Sequence, residues 1–238
     1  MRQFCITVAG VTVEIHHQYD AVRLQCEDYL SDPGAAPRFI AAATQERMAA
    51  EMADLQTPIP ADMVESLCIL RAIAEQMPAL GRAVFHGAAI EYKGSGVLFT
   101  APSGTGKSTH IALWRRAFGD DVQIVNGDKP LLWCKEDGVW VCSTPWAGKE
   151  NWQRNVNVPL RALCLLERGR EDTMRPIDPS EVLGRLLSQI YLPRGAEAAA
   201  ATLELADALL TRIPVFLLSC TPSIHAAEVA FDTLKDLL

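Results

Sequence analysis

The stretch Ala88-Ala89-Ile90-Glu91-Tyr92-Lys93-Gly94-Ser95-Gly96-Val97-Leu98-Phe99-Thr100-Ala101-Pro102-Ser103-Gly104-Thr105-Gly106-Lys107-Ser108 decides the fold. Two apolar runs, 88–92 and 97–100, flank Lys93-Gly94-Ser95-Gly96 and predict a hairpin. The second arm feeds a glycine-rich loop, and a helix is expected from there to about Phe118. Residues 101–108 fit G-x-x-x-x-G-K-[ST] except that Ala101 replaces the first glycine. Gly104 and Gly106 let the backbone curl until successive N–H groups face one concavity. The amino end of the following helix adds a favourable dipole for an anion. Ser103, Gly104, Thr105, Gly106, Lys107, Ser108 and Thr109 are therefore the candidate phosphate-binding residues. Lys107 supplies positive charge to the outer phosphates and Ser108 a hydroxyl for Mg²⁺. A Cβ at 101 requires a negative φ, which a strand exit permits. The expected ligands are ATP and Mg²⁺.

Outward from the loop, the order of elements points to a mixed sheet. Most loops of this kind leave a parallel strand, whereas this one leaves the second arm of a hairpin. A second hairpin is expected from Leu131–Lys135 and Val139–Ser143 around Glu136-Asp137-Gly138. Further strands are expected at 122–125, 162–167 and 214–219. Asp178-Pro179-Ser180-Glu181 reads as a helix start with Asp178 as cap. Thr221-Pro222 reads the same way before a last helix, and the Ala-rich run 195–203 starts another. Before residue 80, strands 3–8 and 11–16 flank Ala9-Gly10. A helix is expected over Tyr19–Leu30, ended by Ser31-Asp32-Pro33-Gly34. A second helix, 60–77, repeats apolar residues from Met63 to Met77 at helical spacing. The texture changes near residue 82, which divides the chain into 1–80 and 81–238.

Among 238 residues the net charge is -7. That argues against general nucleic-acid binding, which needs a basic face. No run is long enough to span a membrane, and the start is too short for a signal peptide. The seven cysteines form no C-x-x-C pair and read as buried free thiols. A soluble cytoplasmic protein is expected, without a membrane or nucleic-acid partner.

The run Phe85-His86-Gly87-Ala88-Ala89-Ile90-Glu91, then Gly96–Thr100 and the loop, resembles the catalytic domain of HPr kinase/phosphorylase. That family shares its fold with phosphoenolpyruvate carboxykinase. The chain is most similar to small HPr kinase-like proteins carrying Gly-Lys-Ser-Thr-His, Asp-Lys-Pro and Thr-Pro-Trp-x-Gly-Lys-Glu. These stand here at Gly106–His110, Asp128–Pro130 and Thr144–Glu150. The resemblance covers 82–238. It implies an α/β fold: a mixed-sheet P-loop kinase core behind a small α/β amino-terminal region.

It also implies roles. Asp128 matches the second member of an acidic pair that holds Mg²⁺ and takes the acceptor's proton. Gly127 stands where the first member belongs. His86 and Glu91 match the His and acidic residue before the loop, and either is a candidate helper. Lys149, on a loop after a strand, is placed to reach a transferring phosphoryl group, and Lys129 is a further cation. Asp128, Lys149, His86 and Lys107 are thus the catalytic candidates, and Ser108 and Asp128 the metal candidates. Arg154 and Asn155 are candidates to line the same cleft. His110 fits packing or phosphate contact equally, Trp146 and Trp152 fit packing or a substrate frame, and His16, His17 and His225 carry no pattern. The implied activity is ATP-dependent transfer to a hydroxyl acceptor, a serine of a protein or peptide. The alternatives are a small-molecule kinase acting on free serine or a metabolite, a carboxykinase, and a non-catalytic nucleotide-binding regulator. Relatives form oligomers, so the resemblance extends to a homo-oligomer.

Overall fold

A computed structural model describes residues 1–55 and 57–238. The chain opens with strands β1 (Arg2–Val8) and β2 (Val11–His17), paired antiparallel, and β3 (Phe39–Ala42), parallel to β2. Ala9 and Gly10 both take positive φ, as the tight hairpin turn requires. Helices α1 (Asp20–Gln25), α2 (Gln45–Asp54) and α3 (Ala61–Gln76) accompany this small sheet.

Among the described residues, the remaining nine strands form one sheet: β4 (Arg82–Val84), β5 (Ala88–Tyr92), β6 (Ser95–Thr100), β7 (Val122–Asn126), β8 (Leu131–Lys135), β9 (Gly138–Cys142), β10 (Asn157–Arg168), β11 (Thr173–Pro176) and β12 (Val215–Cys220). Helices α4 (Lys107–Phe118), α5 (Pro179–Leu187), α6 (Ala196–Arg212) and α7 (Ile224–Leu234) complete it. The sheet is mixed, and the protein is α/β. Strand β6 is antiparallel to β5 and parallel to β10, which is parallel in turn to β12.

Every residue of β6 is buried. Such a strand reads as a continuous apolar run because both of its faces are covered. On one face Val97 and Phe99 pack with Trp114 of α4 and Ala230 of α7. On the other, Leu98 packs with Leu186 of α5 and Leu209 of α6. A third cluster joins the small sheet and α3 to Val84, Leu131 and Cys142 of the large one and to Trp146 beyond β9. All seven cysteines are free, and no described helix is long and apolar enough to cross a membrane.

Several local expectations change. The helix expected over Tyr19–Leu30 stops at Gln25, and a 3-10 turn covers Glu27–Tyr29. Strand β1 captures the segment: Leu30 bridges to Ile6, and the Ser31 N–H donates to the Cys5 carbonyl at 3.0 Å. Asp178 does cap α5, accepting from the Ser180 N–H. The cap of α7 is Ser223 rather than Thr221. Asp172 instead takes the Thr221 N–H and hydroxyl, at 2.6 and 2.9 Å. Strands β3, β4 and β11 and helix α2 left no pattern strong enough to read.

Two buried polar contacts fasten the amino-terminal region. Glu65 of α3 is fully buried and accepts the Gln18 and Tyr19 N–H groups at 2.6 and 2.9 Å, serving the start of α1. The Tyr29 hydroxyl, also buried, lies 2.5 Å from Ser143 Oγ, 3.0 Å from the Thr144 carbonyl and 3.1 Å from Gln153 Oε1. Tyr29→Phe leaves these partners short of a hydrogen bond, which costs about 1–3 kcal/mol. Urea unfolding of the variant is expected to show a loss of this size; a midpoint equal to wild type would rule the anchor out.

Candidate functional site

Three parallel strands end at one edge of the large sheet, because β10 pairs Leu165 with Thr100 of β6 and Arg168 with Cys220 of β12. The loop leaves β6 at this edge. Gly104 and Gly106 have φ of 76° and 124°, which L side chains rarely adopt, while Ala101 is not among the positive-φ residues. Helix α4 begins at Lys107, and the first N–H groups of a helix lack partners within it. Lys107 Nζ donates to the Ala101 carbonyl at 2.8 Å and is almost fully buried. Burial pushes its ammonium below the ordinary range; Asp128 offsets this and Lys129 adds to it. Arg168, unremarked in the sequence, donates to the Gly104 carbonyl at 2.7 Å and braces the loop from its other side.

A cavity of about 450 Å³ lies over the loop. It is lined by Ser103, Gly104, Gly106, Lys107, Ser108 and Thr109, and opposite them by His86, Gly127, Asp128, Gly148, Lys149 and Glu150. Thr105 lies outside it; its hydroxyl turns back to the Pro102 carbonyl at 2.8 Å. It lines instead a neighbouring cavity of about 420 Å³, with Leu113, Arg168, Gly169 and Pro222.

Asp128 is set by its neighbours. Asn126 is fully buried, and its side-chain oxygen accepts from the Asp128 and Lys129 N–H groups at 2.9 and 2.8 Å. Its amide nitrogen donates to the Thr144 carbonyl at 2.9 Å, tying the Asp128 turn to the segment that leads to Lys149. This is an Asx turn, legible only as a polar residue at a strand end. Asp128 Oδ1 lies 3.3 Å from both His86 Nε2 and Lys129 Nζ. Burial acts to raise its pKa, but the His86 hydrogen bond and the Lys129 charge outweigh it, leaving the carboxyl below its ordinary range. His86 is held in turn by Gln189, whose carbonyl takes the His86 N–H at 2.7 Å and whose side-chain oxygen lies 2.8 Å from Nδ1. Gln189 carries no motif in the sequence.

Gly127 has a steric reason. A Cβ there would stand 2.8 Å from the Ala147 carbonyl oxygen, closer than two such atoms approach. The first carboxylate of the expected pair has no room.

Other candidates lie elsewhere. Glu91 forms an ion pair with Arg154, away from the cavity. Asn155 donates to the Asp28 carbonyl at 2.8 Å. Neither Arg154 nor Asn155 lines the cleft over the loop. Lys149 is 89% exposed and only loosely paired with Glu150, at 3.8 Å. Trp146 is buried, its indole N–H donating to Ser66 Oγ at 2.9 Å, and Trp152 packs against the core.

These features define a mixed-sheet α/β protein whose glycine-rich loop, of the sequence type that cradles phosphates, faces Asp128 across a cavity. A family model matches residues 56–226, and the chain belongs to that family, described as SynChlorMet cassette protein ScmC. Among solved structures the chain is similar to the Hpr(Ser) kinase/phosphatase from Coxiella burnetii, at 12% identity and a TM-score of 0.40, over 65% of this chain and 92% of that one. No curated protein matches.

His110, beside the loop, is a packing residue. Its Nε2 accepts the Trp114 indole N–H at 3.0 Å, and its ring meets Phe99 edge-on. Burial pushes its imidazole from 6.5 down to about 4. Below pH 6.5 the unfolded chain takes up a proton that the folded chain refuses, so stability is full above that pH and falls as pH drops toward 4. A shift of this size corresponds to roughly 3 kcal/mol. Urea denaturation at pH 7.5 and 4.5 is expected to show a smaller pH-dependent loss in His110→Phe than in wild type. Equal losses would mean that His110 titrates normally.

Proposed function

We propose that the protein is an ATP-dependent phosphotransferase that moves the γ-phosphoryl group to a hydroxyl acceptor, a serine of a protein or peptide. One observation carries this reading: the loop with Lys107 and Ser108 and the opposing Asp128 line the same 450 Å³ cavity. The adjoining 420 Å³ cavity shares Gly104, Gly106 and Thr109 with it and gives the nucleoside a place beside the phosphates. The serine acceptor comes from the motif resemblance.

The donor set fits Mg²⁺. Ser108 and Asp128 offer hard oxygen ligands, and no cluster of three or more His, Cys, Asp or Glu suited to a metal occurs among the described residues. Mg²⁺ is commonly bound by one or two carboxylates together with substrate phosphates. Ser108 and Asp128 would hold the ion, which neutralises phosphate charge when bound.

The chain's own groups do the rest. The loop amides and Lys107 bind and orient the triphosphate. Lys107 exchanges its hydrogen bond with the Ala101 carbonyl for one with phosphate. Asp128 accepts the proton of the acceptor hydroxyl as that oxygen bonds to the γ-phosphorus and the bond to the bridging oxygen breaks. ADP leaves, and the acceptor carries the phosphate. His86, fixed by Gln189, keeps the Asp128 carboxylate ionised for this step. Lys149, which lines the same cavity, is the cation that meets the transferring group.

Incubation of the protein with γ-labelled ATP, Mg²⁺ and a lysate from which it was isolated is expected to label an acceptor. Lys107→Ala should lower this transfer about 10²–10³-fold; full labelling by the variant would sink the model. Asp128→Asn should lower transfer by about 10²–10⁴-fold while ATP still binds. Tight ATP binding with neither hydrolysis nor transfer in the wild type would identify a nucleotide-binding regulator instead.

A further inference from the structure

The cavity over the loop is one of three that meet at Asp128, His86 and Lys129. A second, of about 430 Å³, shares Asp128, Gly148 and Lys149 with it and runs under α3. Its walls are Met63, Leu67 and Leu70 on one side and Pro145 and Trp146 on the other. A third, of about 330 Å³, shares His86 with the first and Leu67, Leu70 and Lys129 with the second. It extends in the other direction, past Ile190, Tyr191 and Leu192. A trough with apolar walls along α3 therefore passes Asp128 in the second cavity and its neighbours His86 and Lys129 in the third.

Two features mark the trough as a binding surface. Met63 and Leu192, each more than half exposed, stand one in each of the two flanking cavities. Single exposed apolar residues are ordinary, but these two stand in adjoining cavities that share the apolar wall Leu67 and Leu70. The wall facing α3 is also fixed in advance by polar contacts. The Trp146 indole donates to Ser66, the Ser66 hydroxyl donates to Gln25 Oε1 at 2.6 Å, and Gln25 Nε2 donates to the Pro145 carbonyl at 3.1 Å. Preformed walls lower the ordering cost of binding.

We propose that this trough is the acceptor site, and that it takes an extended peptide segment carrying bulky apolar side chains on both sides of the serine to be phosphorylated. The inference rests on the phosphotransferase reading. The nucleotide occupies the loop side of Asp128, so the acceptor hydroxyl reaches that carboxylate from the trough. Free serine or a small hydroxy compound would fill neither flanking cavity. A chain segment with apolar neighbours fills both while holding its serine at the junction. Residues 1–80 then have a function: α3 forms one wall of the acceptor site.

The test uses fluorescently labelled nonapeptides with a central serine, one with leucines on both sides and one with asparagines in their place. Their affinities for the full chain are measured with MgADP present, and transfer from labelled ATP to each peptide and to L-serine is measured alongside. The leucine peptide is expected to bind at least tenfold tighter than the asparagine peptide. The double variant Met63→Gln/Leu192→Gln, altered only at exposed positions, is expected to shrink that preference severalfold. Equal affinity for the two peptides, an undiminished preference in the double variant, or L-serine as the better acceptor would overturn the proposal. Failure of MgATP to bind is a separate result and would overturn the phosphotransferase reading on which it rests.

Discussion

Strand β10 sets the constraint on which the site depends. Its first residues pair antiparallel with β9, and its remainder lies parallel between β6 and β12. Parallel strands place their carboxyl ends at the same edge, and ligands of open α/β sheets bind at such edges. The pairing therefore delivers the glycine-rich loop from β6, the brace Arg168 from β10 and the Asp172-bound Thr221 turn from β12 to one place. The antiparallel start of β10 leads back to β9, and from β9 the chain passes through Thr144 to Lys149. One strand thus orders both sides of the cavity.

Across the cavity, a single buried amide does comparable work. Asn126 joins two segments that sequence leaves unrelated, the turn carrying Asp128 and Lys129 and the chain at Thr144. A buried amide is costly unless its donors and acceptor are matched, so its hydrogen bonds fix both segments at once. The small sheet and α3 are joined to this region through Tyr29, Ser66 and Trp146. The amino-terminal region and the larger sheet therefore share a boundary made of oriented polar contacts as well as apolar packing.

The sequence was most legible where short-range rules govern. Lys93-Gly94 takes positive φ at both residues, as a tight hairpin does, and Asp178 caps its helix by a contact two residues away. The glycine-rich loop belongs to the same class, since its conformation follows from its own residue types. What escaped reading depends on partners far along the chain. Gln189 acts on His86, Arg168 on Gly104, and Tyr29 on Ser143. Glu91 matched a pattern by position, yet it leans toward Arg154 because β7 and the segment after β9 bring that residue alongside. The expectation of a second acidic residue at 127 was unanswerable locally, since the obstacle is a carbonyl twenty residues later.

That obstacle limits what substitution at position 127 can do. With the Ala147 carbonyl standing where a side chain would begin at position 127, a single substitution cannot place a second carboxylate there. The segment from Thr144 to Lys149 would have to withdraw first, and that segment is held by Asn126 and Lys129. A second carboxylate beside Asp128 therefore demands a shift of main chain as well as a new side chain.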